Sequence, residues 1–159
     1  MEAILLAGGK GERLGDAAQG RPKSLVPIAN RPLAAYQVAM LAAAGVDRVI
    51  VSCAAGQEEL FEAELAGLGS EVVTVGEPEP LGRGGGLRFA AQARRDSGPL
   101  YALNADEVID VDLGALLAAH REHGGAATVV VAPLPTGFGV VEIGDDDRIA
   151  GFDESPKLP

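Results

Sequence analysis

The chain is expected to fold as an α/β domain, a doubly wound and mostly parallel sheet with helices on both faces. Short apolar runs of strand length alternate with stretches of helix length from residue 2 to residue 132, and most of those helical stretches stop at a glycine. With 47% hydrophobic residues and 22 glycines among 159 residues, the chain can bury the core of one domain and make the many turns this alternation needs.

Taken in order, "EAILLA" (2 to 7) is an apolar run ending in glycines and reads as a buried strand. "PLAAYQVAMLAAAG" (32 to 45) reads as a helix with a glycine stop. "DRVIVSC" (47 to 53) is a strand, "QEELFEAELAGLG" (57 to 69) a helix with acidic residues early, and "EVVTV" (71 to 75) a strand. "GGGLRFAAQARRD" (84 to 96) is expected to be a helix whose last turn places Arg94 and Arg95 favourably for the helix dipole. "PLYALNA" (99 to 105), "DLGALLAAHREHG" (112 to 124) and "AATVVVA" (126 to 132) then give strand, helix and strand. Strands joined by helices of this length require right-handed crossovers.

After Pro133 the texture changes. "FGVVEI" and "RIAGF" flank the turn cluster "GDDD" and predict a hairpin. The chain stops at Pro159 in a proline-rich polar segment with no helix to close the layer, so its C-terminal part reads as truncated. A single domain over 1–159 is expected, with a core over 1–133 and the start of a further part over 134–159. Neither an internal repeat nor a low-complexity linker interrupts it.

The charge balance limits the partners. Thirteen basic against 23 acidic residues give a formal charge of -10, which repels nucleic acid and anionic membranes at long range. With 4% aromatic residues and no tryptophan, a base-stacking platform is not expected either. No apolar run approaches the roughly 20 residues that span a bilayer. A single cysteine, Cys53, and no signal-peptide pattern fit a reduced, cytoplasmic protein. Open sheet edges suggest a homo-oligomer.

The segment "LLAGGKGERLGDAAQGRPKSL" (5 to 25) leaves the first strand, where open α/β sheets bind phosphate groups. Its spacing fits neither familiar phosphate motif. Counting from Gly9, a dinucleotide fingerprint would need a sixth-place glycine where Leu14 stands, and a P-loop counted from Gly8 lands on Arg13. What remains is a glycine turn whose N–H groups can face an anion, followed by Arg13, which can offer two donors to phosphate, and Lys23, a mobile point charge.

These residues also carry a resemblance. "LLAGGKGERLG…RPKSLVPIANRPL" resembles the nucleotidylyltransferases that join a nucleoside monophosphate to a sugar 1-phosphate, whose signature reads AGGxGxRL and then PKxLxPVxxxP. The likeness runs from Leu6 through "LGRGGGLRFA" and "LNADEVID" to "FDESP" and implies a Rossmann-like fold. It implies attack by a sugar-1-phosphate oxygen on the α-phosphorus of a nucleoside triphosphate, with release of pyrophosphate. The partners are then a nucleoside triphosphate and a sugar 1-phosphate. Gly8, Gly9 and Gly11 would cradle the triphosphate, Leu6 and Ala7 would also bind the nucleotide, Arg13 would hold the departing pyrophosphate, and Lys23 would sit at the α-phosphate or the attacking phosphate. Mg2+ is the implied cofactor, with Asp106 as its ligand and Glu107 and Asp110 ranked below it. A second metal carboxylate of the resembling enzymes would lie beyond Pro159.

"GEPEPLGRGGGLRFA" (76 to 90) is similar to the family's base-reading segment, often LGTAGA or LGTGGA. Glu77 there can only accept hydrogen bonds, which suits the donor edge of guanine, with Gly82 sharing the contact. Arg83 stands where the family commonly has threonine. Asn104, Gly139 and Glu154 are the expected sugar contacts, although Ser155 replaces the lysine that usually follows the acid. The leading reading is GTP with mannose or heptose 1-phosphate. A UTP- or dTTP-dependent glucose-1-phosphate enzyme, a non-catalytic nucleotide-sugar-binding subunit and a molybdopterin or cobinamide nucleotidyl carrier are the alternatives.

Other clusters read as structural. His120 and His123 end a helix without further ligand types nearby, "GDDD" lacks the spacing of a calcium loop, and Cys53 reads as a small packed side chain.

Overall fold

The computed structural model describes residues 1–9, 14, 15, 18, 20–135, 138–154 and 156–158. In chain order its elements are β1 (Glu2–Leu6), β2 (Pro27–Ile28), β3 (Arg31–Pro32), α1 (Leu33–Ala43), β4 (Arg48–Ala54), α2 (Glu58–Leu65) and β5 (Glu71–Glu77). There follow α3 (Gly82–Ala90), β6 (Leu100–Asn104), α4 (Leu113–His123), β7 (Leu134–Pro135), β8 (Val140–Ile143), β9 (Ile149–Asp153) and β10 (Lys157–Leu158). They fall into two compact units, Met1–Ala115 and Leu116–Pro159, so the division lies within α4, ahead of the change of texture at Pro133.

The first unit is built on a parallel sheet of order β5-β4-β1-β6. Its centre is dry: Ala3, Ile4 and Leu5 of β1 and Val49, Ile50 and Val51 of β4 are all 0% exposed. Alternation sends Ile4 and Ile50 to one face, where Ala90 and Leu87 of α3 pack on them. Leu5, Val49 and Val51 face the other way, and α2 lies against β4 and β5 with Phe61 and Leu65 fully buried. At about 25 cal/mol per Å² of apolar surface, each such side chain contributes roughly 1.5–3 kcal/mol. Helix α1 is alanine-rich, starts after Pro32 and stops at Gly45, whose φ of 81° ends the helix cheaply only because it lacks a Cβ.

The sheet winds from β1 out to β4 and β5, then returns to place β6 on the other side of β1. The strand order therefore reverses between β1 and β6. A crevice opens at that reversal, outside the carboxyl ends of the two strands. The ladder extends past the strands at this end, with the Ala7 N–H donating to the Ser52 carbonyl at 2.7 Å and the Ala105 N–H to the Leu6 carbonyl at 2.9 Å.

The amino ends of the strands are locked by charge. Register neighbours Glu2, Arg48 and Glu71 form a row in which Arg48 lies 3.6 Å from the Glu2 carboxylate and 2.8 Å from that of Glu71. The Glu2 carboxylate also accepts the backbone N–H groups of Arg95 and Asp96 and the Nε–H of Arg94. That pull corrects one expectation: Arg94 and Arg95 do not close a helix. Helix α3 ends at Ala90, a 3₁₀ turn covers Ala91–Ala93, and Arg94 is extended at φ -67°, ψ 148°. Helix α2 also stops early, at Leu65, because Ala66 turns extended.

In the second unit β8 and β9 form the antiparallel hairpin expected around "GDDD", with Asp147 in the left-handed region at φ 58°. The strand expected at 126–132 is absent. That segment forms no ladder among the described residues and leaves Val129, Val130 and Val131 exposed, since a β-run without a partner strand has no hydrogen bonds to hold it extended. Sequence reading also missed the tight β2–β3 hairpin, whose turn residues Ala29 and Asn30 both have positive φ. Among the described residues no helix is long and apolar enough to cross a membrane.

Burial opposes ionisation of Glu2, but the Arg95 and Asp96 N–H groups and the Arg94 guanidinium outweigh it and hold its carboxyl below the ordinary value. A depressed carboxyl contributes stability above its unfolded pKa and loses it as pH falls through the folded one. Glu2→Gln is expected to lower unfolding stability by about 1–3 kcal/mol at pH ~7. In urea titrations the gap from the parent should narrow once the pH falls below about 4.5. A gap independent of pH would mean that the carboxylate charge does not lock this edge.

Candidate active site

The crevice at the strand reversal encloses about 380 Å³. Its floor is the turn after β1, Leu6 to Gly9, which lies between the ends of β4 and β6 because Leu6 pairs in register with Ser52 and Asn104. Lys23 and Ser24, Glu77 and Pro80, Gly82 and Arg83, and Asn104 and Asp106 complete the wall.

Glu77 anchors one side. At the end of β5 it is only 8% exposed. Its Oε1 accepts the Ser52 hydroxyl at 2.7 Å and its Oε2 accepts the Leu81 N–H at 3.2 Å. A Cβ placed on Gly8 would come within 2.9 Å of Glu77 Oε1, and one on Gly86 within 2.7 Å. Glycine at both positions is what lets the first turn and α3 close on this carboxylate. A carboxylate offers about four acceptor sites, so two protein donors leave capacity for a ligand.

Lys23 and Asp106 form the other side. Lys23 Nζ donates to Asp106 Oδ2 at 2.6 Å, and both side chains are about one-third exposed, at 38% and 33%. Lys23 opens a 3₁₀ turn, Lys23–Leu25, set by Pro22. Arg21 ties this stretch to the domain by a 2.5 Å bond to Glu64 of α2 and by its Nε–H to the Leu25 carbonyl. The Asp106 turn is held from beneath by Gln37, whose Nε2 donates to the carbonyls of Asn104 and Glu107. Asn104 Nδ2 in turn donates to Glu107 Oε1 at 2.7 Å.

The structure thus gathers Leu6, Ala7, Gly8, Gly9, Lys23, Glu77, Gly82, Asn104 and Asp106 around one cleft. Gly11 and Arg13 lie outside the described residues. Gly139 and Glu154 belong to the second unit, where the Phe152 ring occupies the place a Gly139 Cβ would take. Of the two acids ranked below Asp106, Glu107 is engaged by Asn104. Neither Glu107 nor Asp110 is on the cleft wall among the described residues.

Sequence reading overlooked Gln37, Ser52 and Ser24. Gln37 is 2% exposed and Ser52 0% exposed, and a polar residue at an apolar position of a buried helix or strand was the available signal. Ser24 Oγ is buried at the cleft wall without a hydrogen-bond partner among the described residues. At the end of α4, His120 contacts the Thr128 hydroxyl and His123 the Ala119 carbonyl. Burial and the nearby Glu58 and Glu77 push the Cys53 thiol up to about 12, which keeps it protonated.

Removing the Ser52 hydroxyl would leave a buried carboxylate oxygen one donor short. Ser52→Ala is therefore expected to lower unfolding stability by about 1–3 kcal/mol in urea titrations. An unchanged midpoint would show that Glu77 is not held through Ser52.

The family described as nucleotidyl transferase matches residues 2–159. A protein named probable mannose-1-phosphate guanylyltransferase 2 from Arabidopsis thaliana is 36% identical over 169 residues, covering 99% of this chain and 46% of the relative. The mannose-1-phosphate guanylyltransferase catalytic subunit beta of Danio rerio is 36% identical over 166 residues, with the same coverage. The mannose-1-phosphate guanylyltransferase of Mycobacterium tuberculosis (strain ATCC 25618 / H37Rv) is 33% identical over 165 residues, covering 100% of this chain and 45% of the relative. The chain spans a little under half the length of these relatives. From its parallel sheet, its cleft and this match along its length, the chain belongs to the nucleotidyl transferase family.

Proposed function

We propose that this chain carries the nucleotide-binding machinery of an enzyme that joins GTP to a sugar 1-phosphate, mannose 1-phosphate first among candidates, releasing pyrophosphate. One observation carries the reading: a glycine turn, a Lys–Asp ion pair and a buried carboxylate meet in one cleft at the strand reversal. The names of the relatives support guanine and mannose.

In this reaction a phosphate oxygen of the sugar attacks the α-phosphorus and the bond to the bridging oxygen of pyrophosphate breaks. With a second phosphate pKa of about 6 the nucleophile is already ionised near neutral pH, so no general base is needed. The protein's task is to align two polyanions and neutralise charge. Gly8, Gly9 and Gly11 take the triphosphate, Lys23 the reacting phosphates and Arg13 the departing pyrophosphate. Glu77 and Gly82 read the base. Asn104, Gly139 and Glu154 serve the sugar.

Asp106 fits a divalent cation of the kind that substrate phosphates help to hold. It is a hard oxygen donor at a cleft wall, already facing positive charge, and no group of three or more His, Cys, Asp or Glu residues that could cage a metal occurs among the described residues. When bound there, magnesium would add charge neutralisation at the phosphates. The reduced, buried Cys53 accords with a cytoplasmic setting.

Calorimetry with GTP, UTP, dTTP, CTP and ATP, each with magnesium, is expected to give tightest binding for GTP, and binding of none of the five would sink the proposal. Glu77→Gln is expected to reduce the GTP-over-UTP affinity ratio about tenfold, the worth of one charged hydrogen bond. An unchanged ratio would remove Glu77 from base reading. In a pyrophosphate-release assay with mannose 1-phosphate, Lys23→Met should lower kcat by about 10²-fold or more. Retained turnover would take Lys23 out of the chemistry.

A further inference from the structure

We infer that Arg83 is an additional substrate-binding residue, a cation of the cleft that engages the β- and γ-phosphates of the nucleotide. The inference rests on the nucleotide reading above and deepens it. Arg83 lines the cleft, is exposed, and has no ion pair or hydrogen bond through its guanidinium among the described residues. Arg88 of α3 is likewise exposed and without such a partner among the described residues, but it does not line the cleft. Arg21, Arg48, Arg94 and Arg95 each face a carboxylate, from Glu64, Glu2 or Glu71. The other described cation of the cleft, Lys23, is tied to Asp106. In a chain of net charge -10, a polyanion entering the cleft therefore meets one uncommitted positive side chain among the described residues, that of Arg83.

Placement favours phosphate. Arg83 is the second residue of α3, and helix side chains lean back toward the amino end, here the end that opens on the cleft at Gly82. The same end carries the positive pole of the helix dipole. Nearby space is open: a Cβ built on Gly9, Gly82 or Gly84 meets no described atom within 4 Å. A planar guanidinium can hold two phosphate oxygens at once, and its full charge is matched by phosphates and not by a base. Threonine, common at this place in the family's pattern, offers a single neutral hydroxyl.

The test is calorimetry on the full chain with guanosine, GMP, GDP and GTP in magnesium, comparing the parent with Arg83→Thr and Arg83→Lys. Arg83→Thr is expected to weaken GTP and GDP about tenfold while GMP and guanosine change by less than about twofold, with Arg83→Lys recovering part of the loss. Equal weakening from guanosine through GTP would mean that the guanidinium stacks on the base, and no change would mean that it is only solvated; either result overturns the inference. If the parent binds none of the four ligands, the nucleotide reading itself falls, and that failure is distinguishable because it appears before any substitution.

Discussion

A carboxylate placed in a nearly dry environment must be given donors, and in this domain the donors of Glu77 hold the cleft together. Ser52 reaches it from β4, the Leu81 N–H from the approach to α3, and the backbones of Gly8 and Gly86 close over it. Three stretches of the chain, around Gly8, Ser52 and residues 77–86, are thereby brought to one point. Because an unsatisfied buried carboxylate is far more costly than a lost surface contact, that point is fixed more firmly than the loops around it. The floor of the crevice, the turn after β1, inherits its position from this arrangement.

The two ends of the sheet use charge in opposite ways. At the amino ends, Glu2, Arg48, Glu71, Arg94 and Arg95 pair with one another as opposite charges, each arginine facing a carboxylate. At the carboxyl ends, Lys23 and Asp106 are partly exposed, Ser24 Oγ is unpartnered and Arg83 is uncommitted among the described residues. The apolar centre of β1 and β4 separates the two, so structural ion pairs and cleft charges are insulated by a fully buried layer.

Much of this was legible in the sequence, for definable reasons. Strands such as Glu2–Leu6 and Arg48–Ala54 are buried on both faces and so appear as unbroken apolar runs, and the loop residues that reached the cleft follow such runs directly. The segment 126–132 misled because composition records β-propensity but not whether a partner strand is at hand. Arg94 and Arg95 misled because helix length was decided by Glu2, more than ninety residues earlier in the chain. The role of Gln37 was overlooked for a similar reason: its amide matters only once α1 lies under the turn that carries Asp106. Periodicity reports local pattern, whereas these roles arise from tertiary register.

The Lys23–Asp106 pair makes the cleft self-compensating, and this has a thermodynamic consequence. An anion that draws Lys23 away leaves Asp106 without its counter-charge, and a cation that neutralises Asp106 sets Lys23 free. The two events are linked, and each must raise the affinity for the other by the same factor. A cleft wired in this way responds weakly to free anions or free cations alone and selectively to the two arriving as a neutralised pair.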